Sequence, residues 1–285
     1  MRMVLAALVL LAGPATAQDN SGLEELTTRD DLPGFEPVGR VDIDNGGFCT
    51  GALIAADLVL TAGHCVVERD GSPVEAARIT FRAGFSHGTS LAEVPVARTI
   101  IDPAYRKLDP APVEMVERDV ALLQLAQPIP SLLISPFTVA RPGTGGEVSV
   151  VSYAEGREEA LSWQRVCKMI GREDLLIAFD CEVSFGSSGA PVLDRSGYRA
   201  KIVSIISAGG DMDGKPISLG MELPEQVDRL KAALRKGDAL SVAADATGAT
   251  AGLAPPGMPG KPGKRIVMQG ESGAATSGGA RFVSP

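Results

Sequence analysis

The chain has two histidines, His64 and His87. His64 ends an apolar run, in Thr61-Ala62-Gly63-His64-Cys65. Imidazole is the side chain best suited to take up and return a proton near neutral pH, although a lone histidine is more often just a satisfied structural residue. Ser188 lies in SFGSSGAPVL. Glycines around a serine permit a tight turn that exposes its hydroxyl and leaves backbone N–H groups outward. Two such donors, from Gly186 and Ser188, are placed to stabilise an oxyanion. Taken alone, G-x-S-G is a common turn. Asp119, in ERDVALLQL, stands directly before an apolar run, where aspartate usually caps or meets solvent. The three gain meaning together, because a serine nucleophile needs a base and the base needs an orienting carboxylate. Their order, His then Asp then Ser, reverses the serine-first, histidine-last order of the α/β-hydrolases and excludes an esterase on that scaffold.

Side chains so far apart in sequence need rigid elements to converge. From Val38 onward the chain reads as short β-like runs broken by glycine, proline and charge: GALIAADLVL, ARITFRAGF, VARTII and DVALLQL, then GEVSVVSYA, SWQRVCKMI, LLIAFDCEV and RAKIVSIISA. Runs of this length and spacing predict a sandwich or barrel, not βαβ units. The proline-rich piece at 126–136 divides the two series. One helix is predicted in LPEQVDRLKAALRKG, with Val227, Leu230 and Leu234 on one face, Pro224 near its start and Gly237 as its stop.

Composition narrows the class of protein. The 285 residues carry a net charge of −8, which opposes binding to nucleic acid or anionic membranes. MRMVLAALVLLAGPATA has a basic start, a short apolar run and a small-residue end, so residues 1–17 read as an export signal cut after Ala17. Its loss removes Arg2 and takes the charge from −8 to −9. Cys49, Cys65, Cys167 and Cys181 permit three pairings, and separations of 16 and 14 favour 49–65 and 167–181. Neither a C-x-x-C nor a suitably placed histidine supports zinc. Residues 18–36, polar and acidic, read as a loose leader. The Ala, Gly, Ser and Pro-rich stretch 237–285 reads as a disordered tail.

TAGHC, RDVALLQL and FGSSGAP together make residues 38–236 resemble the trypsin/chymotrypsin family of serine peptidases, whose bacterial members include the glutamyl endopeptidases. Further similarities lie in IIDPAY (100–105), VVSYAEG and SIISAGG (204–210). The resemblance implies an all-β fold of two six-stranded antiparallel barrels, about 37–125 and 137–223, closed by a C-terminal helix at 224–236. It implies a triad of His64, Asp119 and Ser188, an oxyanion hole from the Gly186 and Ser188 amides, and a substrate cleft along Ser207, Ala208 and Gly209. Cys49–Cys65 corresponds to the disulfide beside the family's catalytic histidine. No cofactor or metal is implied; the partners are polypeptide substrates, and the protein is expected to be an exported monomer, periplasmic or extracellular. Activity should rise with pH as His64 loses its proton.

Two departures matter. Ser187 replaces the aspartate that, in trypsin-like enzymes, receives the new N-terminal amine on activation, so no switch of that kind is expected. Cys181 lies seven residues before Ser188, which shortens the loop of the specificity pocket. An ungapped count puts Glu182 near the pocket floor, favouring Arg or Lys before the cleaved bond, although Glu182 can equally point to solvent. Ile206, where glutamyl enzymes carry histidine, argues against a preference for glutamate. The competing reading is a catalytically silent homologue that acts as a binding module.

Overall fold

A computed structural model describes residues 22–44, 47–108, 110–144, 146–212, 214–237 and 281–282. Among these, the chain begins with β1 (Leu23–Glu25) and then builds β2 (Val38–Ile43), β3 (Gly47–Ala55), β4 (Leu58–Thr61), β5 (Ile79–Ala83), β6 (Ala92–Ile101) and β7 (Ala121–Leu125). Strands β2 to β7 close a barrel in the order β2-β3-β4-β7-β6-β5, with β5 pairing back onto β2. In β5, Ile79, Phe81 and Ala83 are buried while Thr80 and Arg82 are half-buried, the period of two that a strand with one core face requires. Strand β4, Leu-Val-Leu-Thr, is buried throughout and delivers the chain to the turn that holds His64.

The second unit consists of β8 (Thr138–Val139), β9 (Glu147–Ala154), β10 (Arg157–Glu173), β11 (Leu176–Phe179), β12 (Pro191–Asp194), β13 (Lys201–Ile205), β14 (Ala208–Met212) and β15 (Lys215–Met221). The expected two-unit, all-β architecture is present, with one difference. Among the described residues, the first unit is a closed six-stranded barrel, whereas the second is an open sheet running β16-β14-β15-β11-β10-β9-β12-β13-β8, where β16 is Arg281–Phe282. The connector at 126–136 buries Ile129 and Ile134 and leaves Leu132 and Leu133 exposed. A one-turn helix, α1 (Val113–Val116), precedes Asp119.

The predicted late helix is α2 (Pro224–Lys236), stopped by Gly237 in the left-handed conformation at φ 68°. Its Val227 and Leu230 are buried in the same core cluster as Leu60 and Leu122 of the barrel and Tyr153 and Ile205 of the sheet, so α2 straps one unit to the other. Both disulfides form the favoured pairs, Cys49–Cys65 and Cys167–Cys181. No helix among the described residues is long and apolar enough to cross a membrane.

The leader is not loose from residue 22 onward. β1 pairs antiparallel with β10, Leu26, Leu32 and Phe35 are buried, and Arg29–Asp31 forms a short 3-10 helix bounded by hydrogen bonds between Thr28 and Asp31. A few well-spaced apolar anchors dock a segment whose average composition is polar. The signal reading at 1–17 lies outside the described residues, as does the disordered-tail reading for 238–280 and 283–285. Within the tail, Arg281 and Phe282 form a strand on β14.

Candidate active site

Three elements bring His64, Asp119 and Ser188 together. His64 sits on the 3-10 helix Gly63–Val66 at the end of β4, Asp119 on the turn between α1 and β7, and Ser188 on the loop before β12. His64 Nδ1 lies 2.7 Å from Asp119 Oδ2, and His64 Nε2 lies 2.7 Å from Ser188 Oγ. All three side chains are buried. The His64 backbone N–H also donates to Asp119 Oδ1 at 2.7 Å, so the carboxylate holds both the ring and the main chain that carries it. Ser207 donates its hydroxyl to Asp119 Oδ2 at 2.5 Å. A carboxylate out of water needs such donors, because an unpaired buried charge is costly. An imidazole held between a carboxylate and a hydroxyl can accept the hydroxyl proton while the carboxylate stabilises the resulting cation.

The neighbouring serines are distinguished by where they point. Ser188 faces His64, whereas the buried Ser187 donates to Ser152 Oγ at 3.2 Å and stays within the second unit. The loop between them and β12 is tied internally by Ser187 N–H to Ser184 O and Ala190 N–H to Ser187 O, both at 3.0 Å, and outward by Gly189 N–H to Ile206 O at 2.7 Å. Gly186 has φ 89° and Gly189 φ 77°, a region that favours glycine. Space forbids a side chain as well: a Cβ on Gly186 would run into the Phe48 ring, and one on Gly189 into Thr61 Oγ1 and the Thr50 carbonyl.

Thr50, on β3, was not marked by the sequence reading. It is fully buried, its N–H donates to Ser188 O at 2.9 Å, and its hydroxyl donates to Gly186 O at 2.9 Å while accepting from Tyr153 N–H at 3.0 Å. Thr61 Oγ1 in turn donates to the Thr50 carbonyl at 2.8 Å. The Cys49–Cys65 bridge adjoins this residue on one side and His64 on the other. Lys107 was also missed. Its half-buried ammonium donates to the carbonyls of His64 at 3.1 Å and Val67 at 2.8 Å; burial lowers its pKa, and the negative charges of Asp119 and Glu68 oppose that shift. Burial raises the pKa of the Tyr105 phenol, and the adjacent Asp119 pushes it the same way. In the sequence, only the IIDPAY similarity touched this region.

The cleft residues take separate places. Ser207 and Ala208 are buried and Gly209 is half-buried, with Ala208 and Gly209 on β14. Glu182 is not on a buried pocket floor: it is exposed, its N–H donates to Gln164 Oε1 at 2.8 Å, and its charge acts on the half-buried Arg157. The loop shortened by Cys181 leaves that position at the surface. Cys49, His64 and Cys65 are the one group of potential metal ligands gathered among the described residues, but the two sulfurs are bonded to each other.

The family model of the trypsin-like peptidase domain matches residues 49–198, more than half of the chain. The chain belongs to the trypsin-like peptidase family. Among curated relatives, it is 38% identical to serine protease 56 of Homo sapiens over 111 residues, covering 39% of this chain and 16% of that protein. It is 30% identical to a trypsin-like protease of Streptomyces glaucescens over 185 residues, covering 56% of this chain and 65% of that one. The chain thus spans less than two thirds of either relative's length. Among solved structures, a Glu endopeptidase in complex with MPD superposes with a TM-score of 0.62 at 17% identity, covering 76% of this chain and 97% of that one, a likeness of fold.

Proposed function

We propose that this trypsin-like family member is an exported serine endopeptidase that cleaves peptide bonds through an acyl-enzyme. The observation that carries this reading is the buried His64 imidazole, 2.7 Å from Asp119 on one side and 2.7 Å from Ser188 on the other. In this mechanism Ser188 Oγ attacks the scissile carbonyl as His64 Nε2 takes its proton. Asp119 holds the tautomer and stabilises the imidazolium, with Ser207 fixing the carboxylate in turn. The Gly186 and Ser188 amides receive the oxyanion. His64 then returns the proton to the leaving amine, and water repeats the sequence to release the acid. Two disulfides support an oxidising destination, periplasmic or extracellular.

The site needs no charged latch from a new N-terminus, because Ser187 is satisfied by Ser152 and the segment before β2 is already docked through β1. The test is Ser188→Ala. Wild type should digest casein and be labelled covalently by phenylmethylsulfonyl fluoride, and the variant should do neither. Wild type that is inert in both assays, or cleavage that survives in the variant, would sink the reading and leave a silent homologue that binds without cutting.

A further inference from the structure

Strand β14 begins at Ala208, immediately after Ser207, whose hydroxyl is bonded to Asp119. One side of β14 pairs with β15. On its other side lies β16, antiparallel, with Gly209 opposite Arg281 and Ala208 opposite Phe282. In that register the chain advances toward Ser207 as it passes from Arg281 to Phe282. It therefore runs along the sheet edge toward the Asp119–His64–Ser188 group. Two glycines, Gly209 and Gly210, sit on β14, and a glycine within a strand often marks where another backbone approaches closely. A peptide to be cut at Ser188 would add to this same edge as an extended strand, taking main-chain hydrogen bonds from it.

We infer that the segment around Arg281–Phe282 is a built-in ligand of the peptide-docking edge of β14 and competes with substrate polypeptides for it. The inference rests on the peptidase reading for its consequence, but not for the docking itself. The length of the chain permits it. Forty-three residues separate Gly237 from Arg281, a contour of up to about 140 Å at about 3.3 Å per residue. A tethered segment meets its site at an effective concentration that reaches about 1 mM. An edge that holds this strand with an intrinsic Kd of about 0.2 mM would then be mostly occupied, and the apparent KM for a substrate would rise about sixfold. Occupancy of this kind raises KM and leaves kcat alone, because a substrate that displaces the strand meets an unaltered site.

The experiment uses the full chain with Arg281→Pro and Phe282→Pro together, since proline has no N–H for a strand ladder. On a fluorogenic peptide, the double variant should show KM lowered about sixfold with kcat within about twofold of wild type. A synthetic peptide of residues 275–285 should inhibit it competitively. An unchanged KM, together with no inhibition by the peptide at millimolar concentration, overturns the inference. A wild-type KM that rises with enzyme concentration also overturns it, by showing that the strand comes from a second copy. Docking is scored separately from catalysis in a Ser188→Ala background. There the labelled 275–285 peptide should bind the double-proline chain severalfold more tightly than the chain that keeps its own strand. Equal binding sinks the tail proposal even if the enzyme is active. Unequal binding upholds it even if wild type cuts nothing, in which case only the peptidase reading fails.

Discussion

A buried hydroxyl that both donates and accepts makes a stiff joint, because breaking either bond leaves a polar group dry. Thr50 is such a joint, with one bond to the Gly186 carbonyl and one from the Tyr153 amide. It anchors the loop carrying Ser188 to the opposite unit. Thr50→Val keeps the shape and removes the hydroxyl. It should lower kcat about 10- to 100-fold with little change in KM, less than the loss of a direct oxyanion donor, and Thr50→Ser should restore most of the rate. Steady-state kinetics beside a thermal melt checks this: a lower Tm with an unchanged kcat would make Thr50 merely structural. His64, Asp119 and Ser188 were legible in the sequence because their types, order and flanking turns fit one chemistry, and Ser207 through the SIISAGG similarity alone. Thr50, Tyr105 and Lys107 were not. Their parts depend on contacts that form only after folding, and a threonine in an apolar strand looks like any β-former.

At the scale of elements, the strands were legible wherever apolar residues alternate or run together, as in β4 and β5, and so was α2 with its proline start and glycine stop. The leader was misjudged because three anchors, Leu26, Leu32 and Phe35, are diluted among charges. Leu32→Ala should therefore cost about 2–5 kcal/mol in urea unfolding, as for a core leucine. A cost near zero would mean that the segment before β2 is dispensable. α1 is a single turn, too short to leave a periodic signature. β16 is two residues long and owes its existence to β14, so no local pattern could reveal it. Among the described residues the second sheet is open, ending at one edge in β8, two residues long and parallel to β13, and at the other in β16.

At the scale of the whole molecule, the two units share the largest of three clusters of buried residues among those described, and a second lies within the second unit. That largest cluster draws on the barrel, on the second sheet and on α2, so unfolding the barrel would expose part of the second unit's packing. Unfolding should be a single transition. Trp163, the chain's single tryptophan, reports on the second unit, while far-UV circular dichroism reports on both, and the two curves should coincide in denaturant. Separate midpoints would show two independent units. The Ser187–Ser152 contact adds a consequence of another kind. A neutral hydrogen bond between two buried hydroxyls offers no charge for dissolved ions to screen. Dissolved salt should therefore leave this one support beneath the nucleophile unchanged, in brine as in dilute buffer.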